Sequence, residues 1–333
     1  MKHIYILIFE DVILSSAAGP LDIFTRTNDL LVAAGREPAF RVQLVSQKAR
    51  NIHLDSPTQF ICQLSIDDLP ARSSGHTTPL VLVPAFTGGW DRVHEKNRTT
   101  VEWLAQHYAA GSEIASLCVG AYFLAQAGIL DGKPCTTHWR AVDDLQQRFP
   151  EVQVRGDEVV TDQDGVYTGG GAFSSLNLVL YLVEKFCGHE MGIRVSKQFS
   201  IHRDHISQAH FAMFNGLSQH GDPAVAEAQS FIEQRFNQDL TVEQVAQHVN
   251  MSKRNFIRRF KQATHLTPLE YTQKVKIENA KRGLENSSKG IQELMYEVGY
   301  NDIKTFRDMF KRQTGVTPQD YRRKYGLNAR ATD

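Results

Sequence analysis

The chain has 333 residues, 41% of them hydrophobic, and its 37 basic residues balance its 37 acidic residues. This length exceeds what one core of typical size organises, so two domains are expected. No apolar run reaches the roughly 18 residues that a membrane helix needs, and the first residues lack the pattern of a signal peptide, so neither kind of segment is expected. The four cysteines are scattered without metal-binding spacing. They favour a cytoplasmic location and predict neither a metal nor an organic cofactor.

Short β-branched or apolar runs alternate with helical patterns through residues 1–187. Strand patterns lie at residues 3–9, 40–46, 79–85 and 112–118, and helical patterns lie at 19–35, 97–111, 120–130 and 137–149. A hairpin pattern at 158–171 then turns at Asp164-Gly165 and is followed by an apolar helical pattern at 173–186. This alternation predicts an α/β domain in which helices flank a mainly parallel sheet.

From about residue 188 the strand patterns stop, and the rest of the chain is helical in pattern. The stretch FNGLSQHGDP at 214–223 collects Gly, Ser, Asn, Asp and Pro and is the predicted linker. Residues 223–333 hold 19 Lys and Arg against 13 Asp and Glu, whereas residues 1–222 hold 18 against 24. This asymmetry predicts that only the second half binds a polyanion.

The last hundred residues contain an internal repeat. At a constant offset of 50, FIRRFKQATHLTPLEY (256–271) matches FRDMFKRQTGVTPQDY (306–321). Upstream, LTVEQVAQHVNMS corresponds in pattern to KGIQELMYEVGYND, and the second copy gains one residue at the turn. Each copy reads as an amphipathic helix, a short turn that starts at Asn250 or Gly299, and a second helix. The pattern therefore predicts an all-α domain with two helix-turn-helix units.

The second helix of each copy has an apolar face and a basic face. At 100° per residue, Phe256, Phe260, Phe306 and Phe310 fall on the faces that are predicted to be buried. The opposite faces suit a DNA major groove, because Arg donates twice to guanine, Ile touches a thymine methyl and Asp accepts from cytosine. Side chains at the flanks, such as Arg259, suit phosphate contacts. The predicted DNA-binding residues are Lys253, Arg254, Asn255, Ile257, Arg258, Arg259, Lys261, Ile303, Lys304, Thr305, Arg307, Asp308, Lys311 and Arg312.

The alternative is a solvated basic face on an ordinary helical bundle. A duplicated helix-turn-helix with basic faces in register disfavours that interpretation. Two recognition helices on one chain can enter successive major grooves about 34 Å apart on one side of a duplex. DNA binding is therefore the preferred interpretation.

Residues 225–326 resemble the AraC/XylS-type DNA-binding domain. The segments that carry the resemblance are LTVEQVAQHVNMSKRNFIRRFKQATHLTP and ELMYEVGYNDIKTFRDMFKRQTGVTPQDYR. The resemblance implies that the partner is double-stranded promoter DNA, with RNA polymerase as a further partner. The sequence departs from the family at Asp308, where a basic residue is usual.

Cys118 lies where a predicted strand meets a predicted helix. A cysteine at such a bend has the geometry of a nucleophile elbow, and the helix N-terminus can lower the pKa of its thiol. The local pattern by itself favours a buried, inert cysteine, which is a common fate for this residue. A reactive nucleophile and a redox sensor, for which Cys135 is the nearest partner in sequence, stay open as alternatives.

Residues 3–190 resemble the class I glutamine-amidotransferase-like fold of the PfpI-like superfamily, and more narrowly the sensor domain of GlxA-type AraC regulators. The resemblance lies in AAGPLDIF (17–24), LCVGAYFLAQAGILDGKPCTTHW (117–139) and VYTGGGAFSSLNLVLYLVE (166–184), and it implies a flavodoxin-like sheet. In the superfamily enzymes the cysteine works with an acid, whose position in the motif Asp22 occupies, and often with a histidine, where this chain has Val119. The Cys–His pair is therefore missing, although the isonitrile-hydratase branch uses cysteine and aspartate without it.

Two further features near this motif have local explanations. His138 is interpreted as a residue that forms a local hydrogen bond at a helix N-terminus, with an approach to the Cys118 site as the alternative. The three glycines at 169–171 fit neither nucleotide-binding spacing, so close packing of strand and helix explains them.

Together these patterns predict a sequence-specific DNA-binding transcriptional regulator. It has a PfpI-like sensor domain at 1–190, a helical connector and linker at 191–223 and an AraC-type DNA-binding domain at 224–333. The resemblance implies a homodimer formed through the α/β domain and a small effector among nitrogen-containing metabolites. The effector site is expected around Asp22, Cys118, Val119 and His138. The alternative is a cysteine-dependent hydratase or amidase that uses Cys118 and Asp22 and is fused to a DNA-binding domain.

Overall fold

The computed structural model describes residues 1–47, 51–54, 58–69, 78–202, 207–214, 216 and 220–327. The chain divides into two compact units, Met1–Gln208 and Ala209–Asp333. This division falls inside the segment predicted as connector and linker, at 191–223. Of the predicted linker at 214–223, residues 215 and 217–219 lie outside the described residues.

The first unit is an α/β domain built on a seven-stranded sheet. The described strands are β1 (Lys2–Ile8), β2 (Phe40–Ser46), β3 (Asn51–His53), β4 (Gln59–Ile61), β5 (Leu64–Ser65), β6 (Leu80–Val83), β7 (Glu113–Leu117), β8 (Pro134–Cys135), β9 (Gln153–Val154), β10 (Val160–Gln163) and β11 (Val166–Gly169). The described helices are α1 (Leu14–Ala33), α2 (Trp90–Lys96), α3 (Arg98–Ala109), α4 (Ala121–Gln126), α5 (Val142–Arg148), α6 (Leu176–Cys187) and α7 (His189–Gln198).

The strand order is β10-β11-β7-β6-β1-β2-β5, and every neighbouring pair is parallel except β10 with β11. The central strand β6 is buried along its whole length, as expected for a parallel strand that helices cover on both faces. The predicted α/β class and the hairpin at Asp164-Gly165 are confirmed. Because parallel strands end at the same edge, the segments after β1, β6, β7 and β11 meet there, and Cys118 lies in one of them.

Two helices are shorter than their patterns predict. The pattern at 120–130 yields only the six residues of α4, because Ala127 ends the helix and Gly128 follows with φ +70°. The pattern at 137–149 begins with a 3-10 turn at Trp139–Ala141, and α5 starts only after it. His138 precedes this turn, so it lies in the segment that leads from the sheet edge into α5.

The second unit consists of helices in the part of it that the structure describes. They are α8 (Pro223–Gln234), α9 (Val242–His248), α10 (Lys253–Thr264), α11 (Pro268–Asn286), α12 (Ile291–Glu297), α13 (Ile303–Thr314) and α14 (Pro318–Tyr325), preceded by a 3-10 turn at Ala209–Phe211. Two separate apolar clusters form, one around Phe256 and Phe260 and the other around Phe306 and Phe310. Helix α11 contributes to both clusters and so joins two helix-turn-helix units, each with a core of its own.

The turn of the second helix-turn-helix unit is one residue longer than that of the first, as the repeat predicts. Residues 249–252 join α9 to α10, and residues 298–302 join α12 to α13. Asn250 and Gly299 occupy the left-handed region at the start of these turns, with φ of 54° and 76°. Only glycine fits the second turn, because a Cβ on Gly299 would lie 2.5 Å from the carbonyl oxygen of Asn237.

The repeated Thr-Pro dipeptide starts a helix in both copies. The hydroxyl groups of Thr267 and Thr317 accept a backbone N–H from the first turn of α11 and α14, and a proline follows each at the first helical position. The preceding helices end at His265 and Gly315, both in the left-handed conformation. The two copies therefore share their helix boundaries as well as their sequence.

Across the described ranges, no helix combines the length and the apolar character needed to cross a membrane. Within the same ranges, no group of three or more His, Cys, Asp or Glu side chains is placed to hold a metal ion.

Candidate functional site

Cys118 occupies a strained bend between β7 and α4. Its φ of 55° lies in the left-handed region, which non-glycine residues rarely adopt, and such strain is found preferentially at functional sites. Gly120 allows the bend to pack closely, because a Cβ there would lie 2.5 Å from the carbonyl oxygen of Val83 and 2.8 Å from that of Pro84. The elbow that the sequence predicts is confirmed, and the cysteine in it is buried.

The thiol of Cys118 is held by backbone groups of two segments. The N–H groups of Ala172 and Val119 hydrogen-bond to the sulfur and favour its thiolate form. Burial is the larger effect, however, and it raises the pKa of Cys118 above its usual value. On the other side, the Thr137 hydroxyl donates to the Cys118 carbonyl oxygen at 2.9 Å. Burial therefore disfavours the thiolate form that a cysteine nucleophile needs.

His138 lies at the rim of the Cys118 site. Its Nδ1 accepts the backbone N–H of Arg140 at 3.1 Å, so it caps the 3-10 turn before α5, and the local interpretation is confirmed. Its ring packs against Gly171, where a Cβ would lie 2.5 Å from Cδ2 of the histidine. Burial lowers the pKa of His138, and the positive charge of Arg140 lowers it further, so the ring is neutral at pH 7.

The structure does not bring Asp22 to the Cys118 site. Its side chain is 59% exposed on the outer face of α1, and its carboxylate lies 3.7 Å from Nε of Arg26. Asp22 is not among the described groups that shift the pKa of the Cys118 thiol. The residue of this segment that reaches the strand ends is Ser16, whose hydroxyl accepts the N–H of Ala85 at 3.0 Å and lies 3.3 Å from its carbonyl oxygen.

The three glycines at 169–171 make room for neighbouring atoms. A Cβ on Gly169 would lie 3.1 Å from Cβ of Leu178, and one on Gly170 would lie 2.7 Å from Oε1 of Gln208. The third glycine, Gly171, faces the His138 ring as described above. The predicted close packing of strand and helix is confirmed at Gly169, because Leu178 lies in α6.

Gln208 is a residue of this site that no sequence pattern indicates. It is the last residue of the first unit and is 1% exposed. Its carboxamide oxygen accepts the N–H of Gly171 at 2.9 Å, and its nitrogen donates to the Thr137 carbonyl oxygen at 2.8 Å and lies 3.0 Å from the Thr136 hydroxyl. The side chain therefore joins the two segments that flank Cys118.

In the second unit, α10 and α13 present the predicted polar faces to solvent. The four phenylalanines on their opposite faces are completely buried. The predicted division of each helix into a buried and an exposed face is therefore observed. The exposed residues are Lys253, Arg254, Asn255, Arg258, Lys261, Lys304, Thr305, Arg307, Asp308, Lys311 and Arg312, and the half-buried ones are Ile257, Arg259 and Ile303.

Neighbouring side chains engage some of these residues. Nη2 of Arg258 donates to Oδ1 of Asn255 at 3.0 Å, and Lys253 forms an ion pair with Glu243. Arg254, in contrast, has no hydrogen bond or ion pair with the described residues. Its exposed guanidinium is accordingly available to a partner.

Arg259 has a structural partner where a DNA contact was predicted. Its Nε and Nη2 atoms donate to the two carboxylate oxygens of Asp222 at 2.5 and 2.9 Å. Asp222 also caps α8 by accepting the N–H groups of Ala224 and Val225. The guanidinium of Arg259 holds the pKa of Asp222 below its usual range, and the carboxylate raises that of Arg259. Arg259 therefore joins α10 to α8 through Asp222, and its predicted DNA contact stays a prediction.

The ion pair with Asp222 predicts different behaviour for two adjacent arginines. Arg259→Ala is expected to lower the melting temperature of the protein while changing its DNA affinity little, because it removes the junction with Asp222. Arg258→Ala is expected to leave the melting temperature near that of the wild type and to lower DNA affinity roughly 5- to 150-fold, as the loss of a base contact of ~1–3 kcal/mol would. Thermal unfolding and fluorescence anisotropy with duplex DNA measure both quantities, and equal losses of affinity would contradict the assignment.

Two family models match this chain. The DJ-1/PfpI family matches residues 2–185, and a helix-turn-helix domain matches residues 245–324. The fold and the two matches define a class of protein in which a flavodoxin-like α/β domain precedes a helical DNA-binding domain. The chain belongs to the DJ-1/PfpI family, and it also carries an AraC-type helix-turn-helix domain.

Named regulators are similar to this chain over much of its length. The HTH-type transcriptional regulator GbdR of Pseudomonas aeruginosa is 24% identical over 96% of this chain and 84% of its own length. The HTH-type transcriptional regulator ArgR of the same species is 31% identical over 66% of this chain and 67% of its own length. The HTH-type transcriptional regulator GlxA of Rhizobium meliloti is 27% identical, with shares of 65% and 67%.

Solved structures agree on the fold of the first unit. DJ-1beta of Drosophila melanogaster is 17% identical with a TM-score of 0.50, over 60% of this chain and 98% of that chain. A THiJ/PfpI family protein from Pseudomonas syringae is 16% identical with a TM-score of 0.50, over 82% and 88%. These likenesses concern the fold alone.

Proposed function

We propose that this chain is a transcriptional regulator that binds promoter DNA in a sequence-specific manner. The observation that carries the proposal is the duplicated helix-turn-helix, in which α10 and α13 expose basic faces and bury a pair of phenylalanines each. The similarity to named HTH-type regulators over up to 96% of the chain supports it. Two such helices on one chain are suited to adjacent major grooves of one duplex.

Selection from a random duplex library, followed by footprinting of the selected DNA, tests this proposal. The expected result is a defined site with two protected half-sites about 10 base pairs apart, centre to centre. Binding without a preferred sequence would contradict the proposed function.

We propose that the first unit senses a small effector at the Cys118 site. Support comes from the strained loops that meet there, from the backbone N–H groups of Val119 and Ala172, and from the burial of the thiol, which raises its pKa. An effector acts by binding one arrangement of the protein more tightly than another. A nitrogen-containing effector, a homodimer formed through the α/β domain, a cytoplasmic location and contact with RNA polymerase stay predictions of the family resemblance.

The alternative is a cysteine-dependent enzyme. The elbow conformation and the two N–H donors favour it, because they can stabilise a thiolate or an oxyanion. The raised pKa of Cys118, the exposed position of Asp22 and the engaged Nδ1 of His138 weigh against it. Redox sensing with Cys135 has similar difficulty, because Cys135 is 0% exposed and burial raises its pKa to about 12.

The pH dependence of alkylation separates the two accounts. Iodoacetamide is expected to modify Cys118 slowly at pH 7 and at a rate that still rises at pH 9, because burial raises the pKa and only the thiolate reacts. Peptide mass spectrometry from pH 6 to pH 10 measures the rate, and the urea-unfolded protein is the reference for an accessible thiol with a pKa of about 8.5. A rate that reaches its plateau below pH 8 would favour the enzyme.

A further inference from the structure

The carboxamide of Gln208 is surrounded by polar groups that pair with both its oxygen and its nitrogen. These groups form the seat of Gln208. Besides its bonds to Gly171, Thr136 and Thr137, its amide nitrogen lies 3.2 Å from the carbonyl oxygens of Gly156 and Glu158. Its own backbone N–H donates to the carbonyl oxygen of Asp157 at 2.8 Å. Buried polar groups that are satisfied in this way hold a segment in one position, because leaving any of them without a partner is costly.

Each side of this seat is directly attached to the Cys118 site. Gly171 donates its N–H to Gln208, and the next residue, Ala172, donates its N–H to the Cys118 sulfur. On the opposite side, the carbonyl oxygen of Thr137 accepts from Gln208, while its hydroxyl donates to the carbonyl oxygen of Cys118. A group that enters the Cys118 site and moves either segment must therefore strain or break the bonds to Gln208.

The chain after Gln208 is anchored again within the second unit. The buried ammonium of Lys281 donates to the carbonyl oxygen of Ala212, and the N–H of Phe214 donates to the Glu278 carboxylate at 3.1 Å. Glu278 and Lys281 also form a buried ion pair at 2.9 Å. Three residues separate Gln208 from Ala212, so the anchored end of the first unit and the anchored start of the second are close along the chain.

We propose that Gln208 is a positioning residue that transmits the state of the Cys118 site to the connector of the DNA-binding unit. With the Cys118 site empty, the carboxamide keeps its hydrogen bonds to Gly171 and Thr137, and these bonds fix the position from which the connector starts. With the Cys118 site occupied, the segments at Thr137 and Gly171 shift, and their hydrogen bonds to Gln208 break. This inference rests on the proposed sensing function of the Cys118 site, and it names the residue through which that site acts.

Hydrogen exchange on the full chain tests this role, with a covalent probe on Cys118 in place of the unidentified effector. Iodoacetamide is applied at pH 9, peptide mass spectrometry establishes modification of Cys118, and exchange is then followed at pH 7. In the wild type, modification is expected to speed exchange of the Gly171 and Gln208 amides at least tenfold. In Gln208→Ala, the Gly171 amide is expected to exchange fast before modification and to change little after it.

Matched variants separate transmission from general loosening of the fold. Gln146→Ala removes a glutamine that also bonds backbone groups of the first unit, those of Val152 and Val154, and it is expected to respond as the wild type does. Gln208→Asn retains the carboxamide on a shorter stem and is expected to resemble Gln208→Ala, so it serves if the alanine variant fails to fold. The amides of β6 should stay protected in every sample.

Two outcomes would overturn the proposal. One is full modification of Cys118 with unchanged exchange at Gly171 and Gln208. The other is an equal response in the wild type and in both Gln208 variants. Anisotropy with duplex DNA on the same samples tests the proposed function separately, because a protein that binds no DNA, modified or not, contradicts the regulator account without altering the exchange result.

Discussion

Phe310→Ala is expected to abolish DNA binding by unfolding the second helix-turn-helix unit. The Phe310 ring is completely buried, with ring centroids 5.9 Å from Phe306 and 5.5 Å from Tyr321. Removal of a buried phenylalanine side chain costs about 3–5 kcal/mol, because transfer energy and packing are lost together. A domain with a total stability of about 5–15 kcal/mol loses a large part of it. Urea unfolding and DNA anisotropy on the full chain measure the two effects.

The repeat supplies the matched variant. Phe260 has the same position in the first helix-turn-helix unit and is completely buried. Its ring centroid lies 5.4 Å from those of both Phe256 and Tyr271. Phe260→Ala is expected to cost about the same stability and to lose DNA binding equally. A Phe310→Ala protein that keeps wild-type stability would contradict the packing of Phe310 in the core of the second helix-turn-helix unit.

Arg254→Ala and Arg307→Ala are expected to weaken binding to the selected DNA by ~1–3 kcal/mol each, which is roughly 5- to 150-fold. Both residues are exposed on the polar face of their helices, at α10 and α13. If they contact base edges, each change also relaxes sequence preference, but only within the half-site that its helix occupies. Competition binding with every single-base variant of the selected site measures affinity and preference together.

The control is Arg98→Ala, which removes the same charge from an exposed residue of the first unit. It is expected to leave affinity and preference unchanged. The double variant Arg254→Ala/Arg307→Ala should lose the sum of the two single losses, since distant independent sites add. A uniform loss across all base variants would assign both arginines to phosphate contacts.

Local patterns predicted most of the fold correctly because local physics determines it. The strand and helix periodicities of the first half and the repeat at offset 50 in the second half correspond to observed elements. The elbow at Cys118 also followed from local sequence, since a strand, a bend and the small Gly120 adjoin one another. The close packing at Gly169 was predicted correctly, although Gln208, the neighbour of Gly170, could not be foreseen.

The features that local patterns do not indicate depend on contacts between distant parts of the chain. Arg259 lies 37 positions from Asp222, and no periodicity links them. The seat of Gln208 gathers groups up to 72 positions away, as with Thr136. Asp22 is different, because it precedes the buried Ile23 and Phe24 on α1 and 100° per residue already turns it away from that face. A motif position suggested the acid there, and helical phase would have corrected it.

The central claim is that α10 and α13 of one chain read two adjacent major grooves. Insertion of five base pairs between the half-sites that Arg254 and Arg307 identify turns the second groove to the opposite side of the duplex. The account predicts that affinity for this DNA falls at least tenfold, to the level of a single half-site, in anisotropy titrations of the full chain. Undiminished affinity for the DNA with the insertion would contradict it.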